Sequence, residues 1–204
     1  MRMRIMNEKE LNMRKRFLFY VLSLTSFILF LSSSCQPPSS NLSQNIYFNL
    51  PKYFDEQVKH LQNDSLSVMK TSEVNGNTDE HQMDWTDWKR EFTLFYASDI
   101  SKSSFAGKYK VDSVQLNSSH KKISYVATDS SLRTKLLEIS YSNDSLKEIH
   151  IINHTGNFLS TTDEELYYEP LKSYIIKSSV RNRFFGVNEF SILGQIVSKQ
   201  KQYF

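Results

Sequence analysis

The 204-residue chain contains one cysteine, four prolines and five glycines. A single cysteine, Cys35, excludes an internal disulfide framework and thiolate metal clusters. The glycines (Gly76, Gly107, Gly156, Gly186 and Gly194) are never clustered. The chain therefore has neither a glycine-rich phosphate loop nor a Gly-x-Ser-x-Gly nucleophile elbow. Excess charge is also missing beyond Cys35. Six of the 25 basic and two of the 22 acidic residues precede it, leaving 19 against 20, a balance of −1. That near-neutral balance lacks the basic footprint of a nucleic-acid binder and removes any strong case for a patch that binds acidic membranes. Scarce proline and glycine beside 13% aromatic residues predict that most of the chain folds.

The N-terminus carries a secretory signal. Arg14, Lys15 and Arg16 precede an apolar run from Phe17 to Leu31, and Ser32, Ser33 and Ser34 lead to Cys35. This is a charged region, an apolar core and a small-residue cleavage zone in order. The core is shorter than the roughly 20 apolar residues a membrane-spanning helix needs. Met6 and Met13 are alternative starts, and residues 1–12 carry no fold information.

A cysteine closing such a signal resembles the bacterial lipobox, in a relaxed form similar to those of Bacteroidota. Ser32 stands where leucine is common, with Leu31 one step back. The resemblance implies that Cys35 receives a diacylglycerol, that the chain is cut before it, and that the new amino terminus is acylated. It also implies a membrane partner through that lipid and a place in the cell envelope. Gln36-Pro37-Pro38-Ser39-Ser40 lacks the acidic stretch of surface-exported lipoproteins. That points to the outer membrane, facing the periplasm. An uncleaved signal anchor and ordinary signal-peptidase cleavage are the alternatives. The expected organisation is a signal peptide over 1–34, a lipidated cysteine and flexible tether over 35–45, and one α+β domain over 46–204.

Within that domain, Asn49-Leu50-Pro51 opens a helix with proline in its first turn. Asp55 and Glu56 are placed near its positive end. Phe54, Val58 and Leu61 form its apolar stripe, and it ends near Asn63-Asp64. Asn75-Gly76 between Leu66–Val74 and Asn77–Met83 marks a hairpin. Its polar second arm predicts a short or frayed element near the surface. Asp84 begins a second helix with Asp87 in a capping arrangement. Trp85, Trp88, Phe92 and Phe95 share one face of this helix. They are read first as core, and Trp85, Trp88 and Phe92 second as the wall of a ligand cavity. From Gly107 the apolar period becomes two. Seven strands are predicted: 109–116, 122–128, 135–142, 147–153, 158–168, 172–180 and 189–197, joined by short turns as an antiparallel meander. The fold class is therefore α+β, with two helices over a curved, half-barrel-like sheet of about seven strands. The element order is similar to that of half-barrel lipoprotein carriers. The run Phe54-Asp55-Glu56-Gln57, Val74-Asn75-Gly76, Trp85–Glu91 also resembles one shared among Bacteroidota lipoproteins.

No catalytic constellation stands out. His150 and His154 are four apart at a strand end and a turn, and are expected to be solvent-exposed rather than metal-ligating. Asp163-Glu164-Glu165 is expected to be a solvated bend in a hairpin. Asp64-Ser65-Leu66, Asp112-Ser113-Val114 and Asp144-Ser145-Leu146 each resemble the Bacteroidota O-glycosylation signal, and equally fit ordinary turns into strands. The reading is a non-enzymatic envelope lipoprotein without cofactor, catalytic residue or metal. Its domain is expected to bind an envelope protein or an apolar small molecule. A lipid or lipoprotein carrier with a hydrophobic cavity is the alternative, and an enzyme is the more distant one. The helix–sheet interface discriminates between them: dry core, greasy pocket or polar cleft.

Overall fold

Asn49 caps the first helix, α1 (Leu50–Asn63). Its side-chain oxygen accepts the Lys52 N–H at 2.9 Å. This computed structural model describes residues 47–63, 66–83 and 86–198. Cys35, the tether, Asp64-Ser65, Asp84 and Trp85 lie outside those residues. Leu50, Phe54, Val58 and Leu61 are buried along one stripe of α1. Full burial of such a side chain stabilises by about 1.5–3 kcal/mol. Asp55 and Glu56 do not serve the helix dipole, which acts over the first turn only, and that turn has no acidic residue. Asp55 instead accepts a hydrogen bond from the Tyr96 hydroxyl at 3.0 Å and lies 3.6 Å from the Lys89 ammonium.

The next two elements, β1 (Leu66–Val74) and β2 (Asn77–Met83), form the expected hairpin. Asn75 and Gly76 take φ of 48° and 85°, the positive values that a tight two-residue turn requires. The hairpin is not a frayed appendage, however. β1 pairs from Leu66↔Ser198 to Val74↔Phe190 with the last strand of the sheet. Only β2 is exposed, as the free edge.

The expected second helix is two short ones, α2 (Trp88–Glu91) and α3 (Thr93–Ala97), with Phe92 between them at φ −91°, ψ 14°. Asp87 caps α2 by accepting the Arg90 N–H at 3.2 Å. The break has a local cause. The Thr93 hydroxyl donates to the Arg90 carbonyl at 2.7 Å, occupying a backbone acceptor at the junction.

The remaining strands are β3 (Tyr109–Gln115), β4 (His120–Ala127), β5 (Thr134–Ser142), β6 (Ser145–Gly156), β7 (Ser160–Glu169), β8 (Ser173–Asn182) and β9 (Gly186–Ser198). All neighbours are antiparallel, and the order is β2-β1-β9-β8-β7-β6-β5-β4-β3. The sheet therefore has nine strands rather than about seven, because the N-terminal hairpin extends the meander across β9. It is curved and open, with β2 and β3 as unpaired edges. Register shifts in β5 at Thr134/Leu136 and Ser140/Tyr141 mark irregularities of the kind that bend a strand and increase local twist.

The helical layer crosses one face of this sheet. At one side Tyr47 packs edge-on against Tyr109 and Tyr125, with centroids 5.6 and 5.8 Å apart. In the middle Phe54 lies 5.0 Å from Tyr168 of β7. At the other side Glu91 of α2 accepts Lys70 of β1 at 2.9 Å and the Tyr174 hydroxyl of β8 at 2.6 Å. The end of α3 is stitched down by a buried polar cluster. Asn153 donates to the Ser98 hydroxyl at 2.9 Å and accepts from Thr134 at 3.0 Å. Among the described residues no helix is long and apolar enough to cross a membrane.

Candidate functional site

The space between helices and sheet is filled by rings. Trp88 is 2% exposed and Phe92 0%. They stack on each other at 5.9 Å, and Phe92 packs 5.0 Å from Phe54, 5.3 Å from Tyr168 and 5.8 Å from Tyr174. Phe54 lies 4.9 Å from Phe95. Of the three residues considered as a cavity wall, Trp88 and Phe92 are thus packed in the core, and Trp85 lies outside the described residues. Among the described residues this interface is a packed aromatic core.

A groove is found elsewhere. Strand alternation puts Ile149, Ile151, Leu166, Tyr168, Tyr174 and Ile176 on the helix-covered face. Their sequence neighbours point to the opposite, uncovered face. Across that face Ile152, Glu165, Lys177, Ser191 and Glu73 are successive register partners on β6, β7, β8, β9 and β1. One row further on stand Asp163, Ser179 and Glu189. Between these rows runs a groove of about 500 Å³, floored by the backbone around Asn153, Glu164, Ser178 and Phe190, and closed at one end by Asn75 and Gly76. Four of its uncovered-face side chains are carboxylates (Glu73, Asp163, Glu165, Glu189) against one ammonium, that of Lys177. A smaller depression of about 240 Å³ adjoins it beyond Lys177 and adds Glu148 and Glu169.

A polar network joins the groove to the rest of this face. The His150 ring has Glu138 3.6 Å from Nδ1 and Glu165 3.1 Å from Nε2, and it stacks on Tyr167 with centroids 4.3 Å apart. The Tyr167 hydroxyl donates to Glu165 at 2.6 Å. The Glu138 carboxylate is completed by the Ser124 hydroxyl at 2.8 Å and Lys122 at 3.4 Å. Burial alone would raise Glu138, but the Ser124 hydrogen bond and the Lys122 charge outweigh it, with help from His150, and hold it below the ordinary carboxylate value. The Tyr167 hydrogen bond is the main reason Glu165 is also held low. In return Glu165 pushes the Tyr167 hydroxyl up to about 12. Lys177 lies 3.9 Å from Glu165 and 5.9 Å above the Tyr167 ring.

These polar groups satisfy one another. Both His150 nitrogens face carboxylates. His150 is not solvent-exposed as expected, its side chain being 17% exposed, while the His154 ring binds Asp163 at 2.6 Å. Among the described residues no group of three or more metal-ligating side chains is assembled. Asp163-Glu164-Glu165 is not a bend. It lies mid-strand in β7, so Asp163 and Glu165 face the groove while Glu164 turns to the other side. There Glu164 accepts Asn153 at 3.1 Å and Arg133 at 2.6 Å. The period-two carboxylates of β7 were legible in the sequence. Their meeting with Glu73 and Glu189 was not, because those residues come from strands distant in the chain.

No protein-family model matches the chain, and no curated protein matches it. Among solved structures, the S-type phycobiliprotein lyase CPES from Guillardia theta is similar over 76% of this chain and 95% of its own. The identity is 10% and the TM-score 0.28, a likeness too slight to carry any argument about fold or function.

Proposed function

We propose that this protein is a non-enzymatic binding module of the bacterial cell envelope, lipid-anchored through Cys35, whose acidic groove receives a cationic segment of an envelope protein. The observation that carries this reading is the groove itself: about 500 Å³ on the uncovered sheet face, with four carboxylates against one lysine among its outward side chains. Charge of one sign lining a concave surface favours a partner of the other sign. An extended basic segment has the right form, since a groove running across strands offers side-chain pockets along its length. The apolar-ligand and carrier readings gain no support from the helix–sheet interface, where Trp88, Phe92, Phe54 and Phe95 fill the space. An enzymatic reading gains none from His150, whose ring is engaged on both sides. The lipid anchor is supported by the signal pattern ending at Cys35.

The test is site-specific photo-cross-linking in intact cells. A photoreactive residue at Ser179, in the groove, is expected to capture a protein partner, and one at Asp112 on β3 is not. Charge reversal at Glu73 and Glu189 should abolish the capture. Equal capture at both positions would overturn the groove as the site. Metabolic labelling with a fatty acid tests the anchor separately: the label should be lost in Cys35→Ser.

A further inference from the structure

The hairpin turns at one end of the sheet carry the most exposed large apolar side chains among the described residues. Phe158 is 79% exposed, Phe184 72% and Phe185 83%, with Leu159 and Val187 about half exposed beside them. Phe158 and Leu159 lie in the β6–β7 turn, and Phe184 and Phe185 in the β8–β9 turn. The two turns are tied together by the Arg183 N–H on the Leu159 carbonyl at 3.0 Å. Both are held in shape by an asparagine. Asn157 accepts the N–H groups of Leu159 and Ser160 at 2.8 and 2.9 Å, and Asn182 accepts those of Phe184 and Phe185 at 2.9 and 3.3 Å. The rings are therefore displayed by preorganised turns.

The charge at this tip is of one sign. Residues 155–162 and 172–188 contain no acidic residue; Arg183 lies in the second turn, and Arg181 stands just before it near the end of β8. The Arg183 guanidinium lies 4.8 Å from the Phe158 ring centroid, so a cation is held at the level of an exposed aromatic. The first carboxylates, Asp163 and Glu189, stand two residues further in on the uncovered face.

We propose that this tip docks on an anionic phospholipid surface, with Phe184, Phe185 and Phe158 entering the interface and Arg181 and Arg183 meeting lipid phosphates. Amphipathic and aromatic side chains settle at the headgroup level, and arginine beside them complements anionic lipid. A protein partner is the poorer fit. A stable protein interface takes roughly 20–30 residues a side, whereas two turns of three residues each carry the exposed rings here. Asp163 and Glu189 repel the same surface and limit docking to the turns. The near-zero charge of the whole domain hides this local asymmetry. The inference does not rest on the groove or on lipidation of Cys35.

The experiment uses the full chain with Cys35→Ser and a polarity-sensitive dye at Asn188→Cys, next to the tip, or at Ser118→Cys, in the β3–β4 turn at the opposite end. The probes are vesicles of phosphatidylcholine, or of phosphatidylcholine with phosphatidylglycerol, each containing nitroxide-labelled lipid. The expected result is a blue shift and quenching at position 188 in the phosphatidylglycerol vesicles, with little change at 118. Both signals should be lost in Phe184→Ser/Phe185→Ser, whose circular dichroism should match the parent. Equal quenching at the two positions, equal quenching in the two lipid compositions, or quenching at 188 that survives the double substitution overturns the proposal. Absence of quenching at 188 in both vesicles overturns it as well.

Discussion

Gly194 of β9 is the register partner of Tyr174 of β8, and the tyrosine ring lies over it so closely that a Cβ on Gly194 would sit 2.2 Å from two ring carbons. The missing side chain lets Tyr174 lie across the neighbouring strand and reach Glu91 of α2 at 2.6 Å. Glu91 also holds Lys70 of β1, so this one glycine permits the link that ties α2 to both β8 and β1.

Gly194→Ala is expected to lower the unfolding free energy by about 1–3 kcal/mol, the usual cost of overpacking a filled site. Urea denaturation measures it. In a Tyr174→Ala background the same change should cost much less, since residues in contact are not additive. Equal cost in both backgrounds would place the clash elsewhere.

Trp88→Ala and Phe92→Ala should each cost about 3–5 kcal/mol, as for large aromatics removed from a packed core. Native mass spectrometry of the unmodified protein should show no bound molecule in the lipid range. Such a mass, present in the parent and lost in Trp88→Ala, would show that the helix–sheet interface holds a ligand after all.

Acid should weaken the fold through Glu138 and Glu165. Both are held below their ordinary value in the folded state. The folded state therefore binds their protons less readily than the unfolded chain does. Their contribution is present above the unfolded carboxylate value, about 4.3, and is lost as pH falls through the lower folded values. Glu138→Gln should destabilise at pH 7 and make little difference once both carboxyls are protonated. Denaturation series at the two pH values give the comparison.

At alkaline pH the sign reverses. Tyr167 is raised from 10.0 to about 12, first by its hydrogen bond to Glu165 and then by burial. Its contribution is complete below pH 10 and is lost as pH rises through about 12. Spectrophotometric titration should lose this late-ionising tyrosine in Tyr167→Phe. The same variant should let Glu165 move back toward its ordinary value, visible as a shift of its carbon resonance with pH.

Asn153→Ala should cost about 1–3 kcal/mol, because it leaves the buried Ser98 and Thr134 hydroxyls without a shared partner. Amide exchange should speed up first near Ser98, where α3 is fastened to β5 and β6.

Much of the architecture could be read from local pattern. The stripe of Phe54, Val58 and Leu61 and the Asn75-Gly76 turn appear in the structure as expected, and so does the period of two beyond Gly107, with Leu137 and Ile139 buried between less buried neighbours. Each rests on interactions within a few residues or on a period of two. Where the reading erred, distant partners decided. A polar second arm made β1–β2 look peripheral, yet β1 is internal because its other edge meets β9. Asp163-Glu164-Glu165 was expected to be a solvated bend, yet it lies mid-strand in β7. Each finds its own place: Asp163 and Glu165 on the uncovered face, Glu164 against Asn153 and Arg133.

Sequence alone was enough for the first helix, the tight hairpin turn and the alternating strands, because helix stripes, strand alternation and turn residues are set by short-range stereochemistry. Only the tertiary structure decided that β1 and β2 join the meander in one sheet, the filled interface around Trp88 and Phe92, and the union of Glu73, Asp163, Glu165 and Glu189 in one groove. The acidic residues of the groove come from β1, β7 and β9, and strand pairing across long separations brought them together. That pairing is fixed by which faces the whole sheet can bury at once, a condition no local stretch of residues contains.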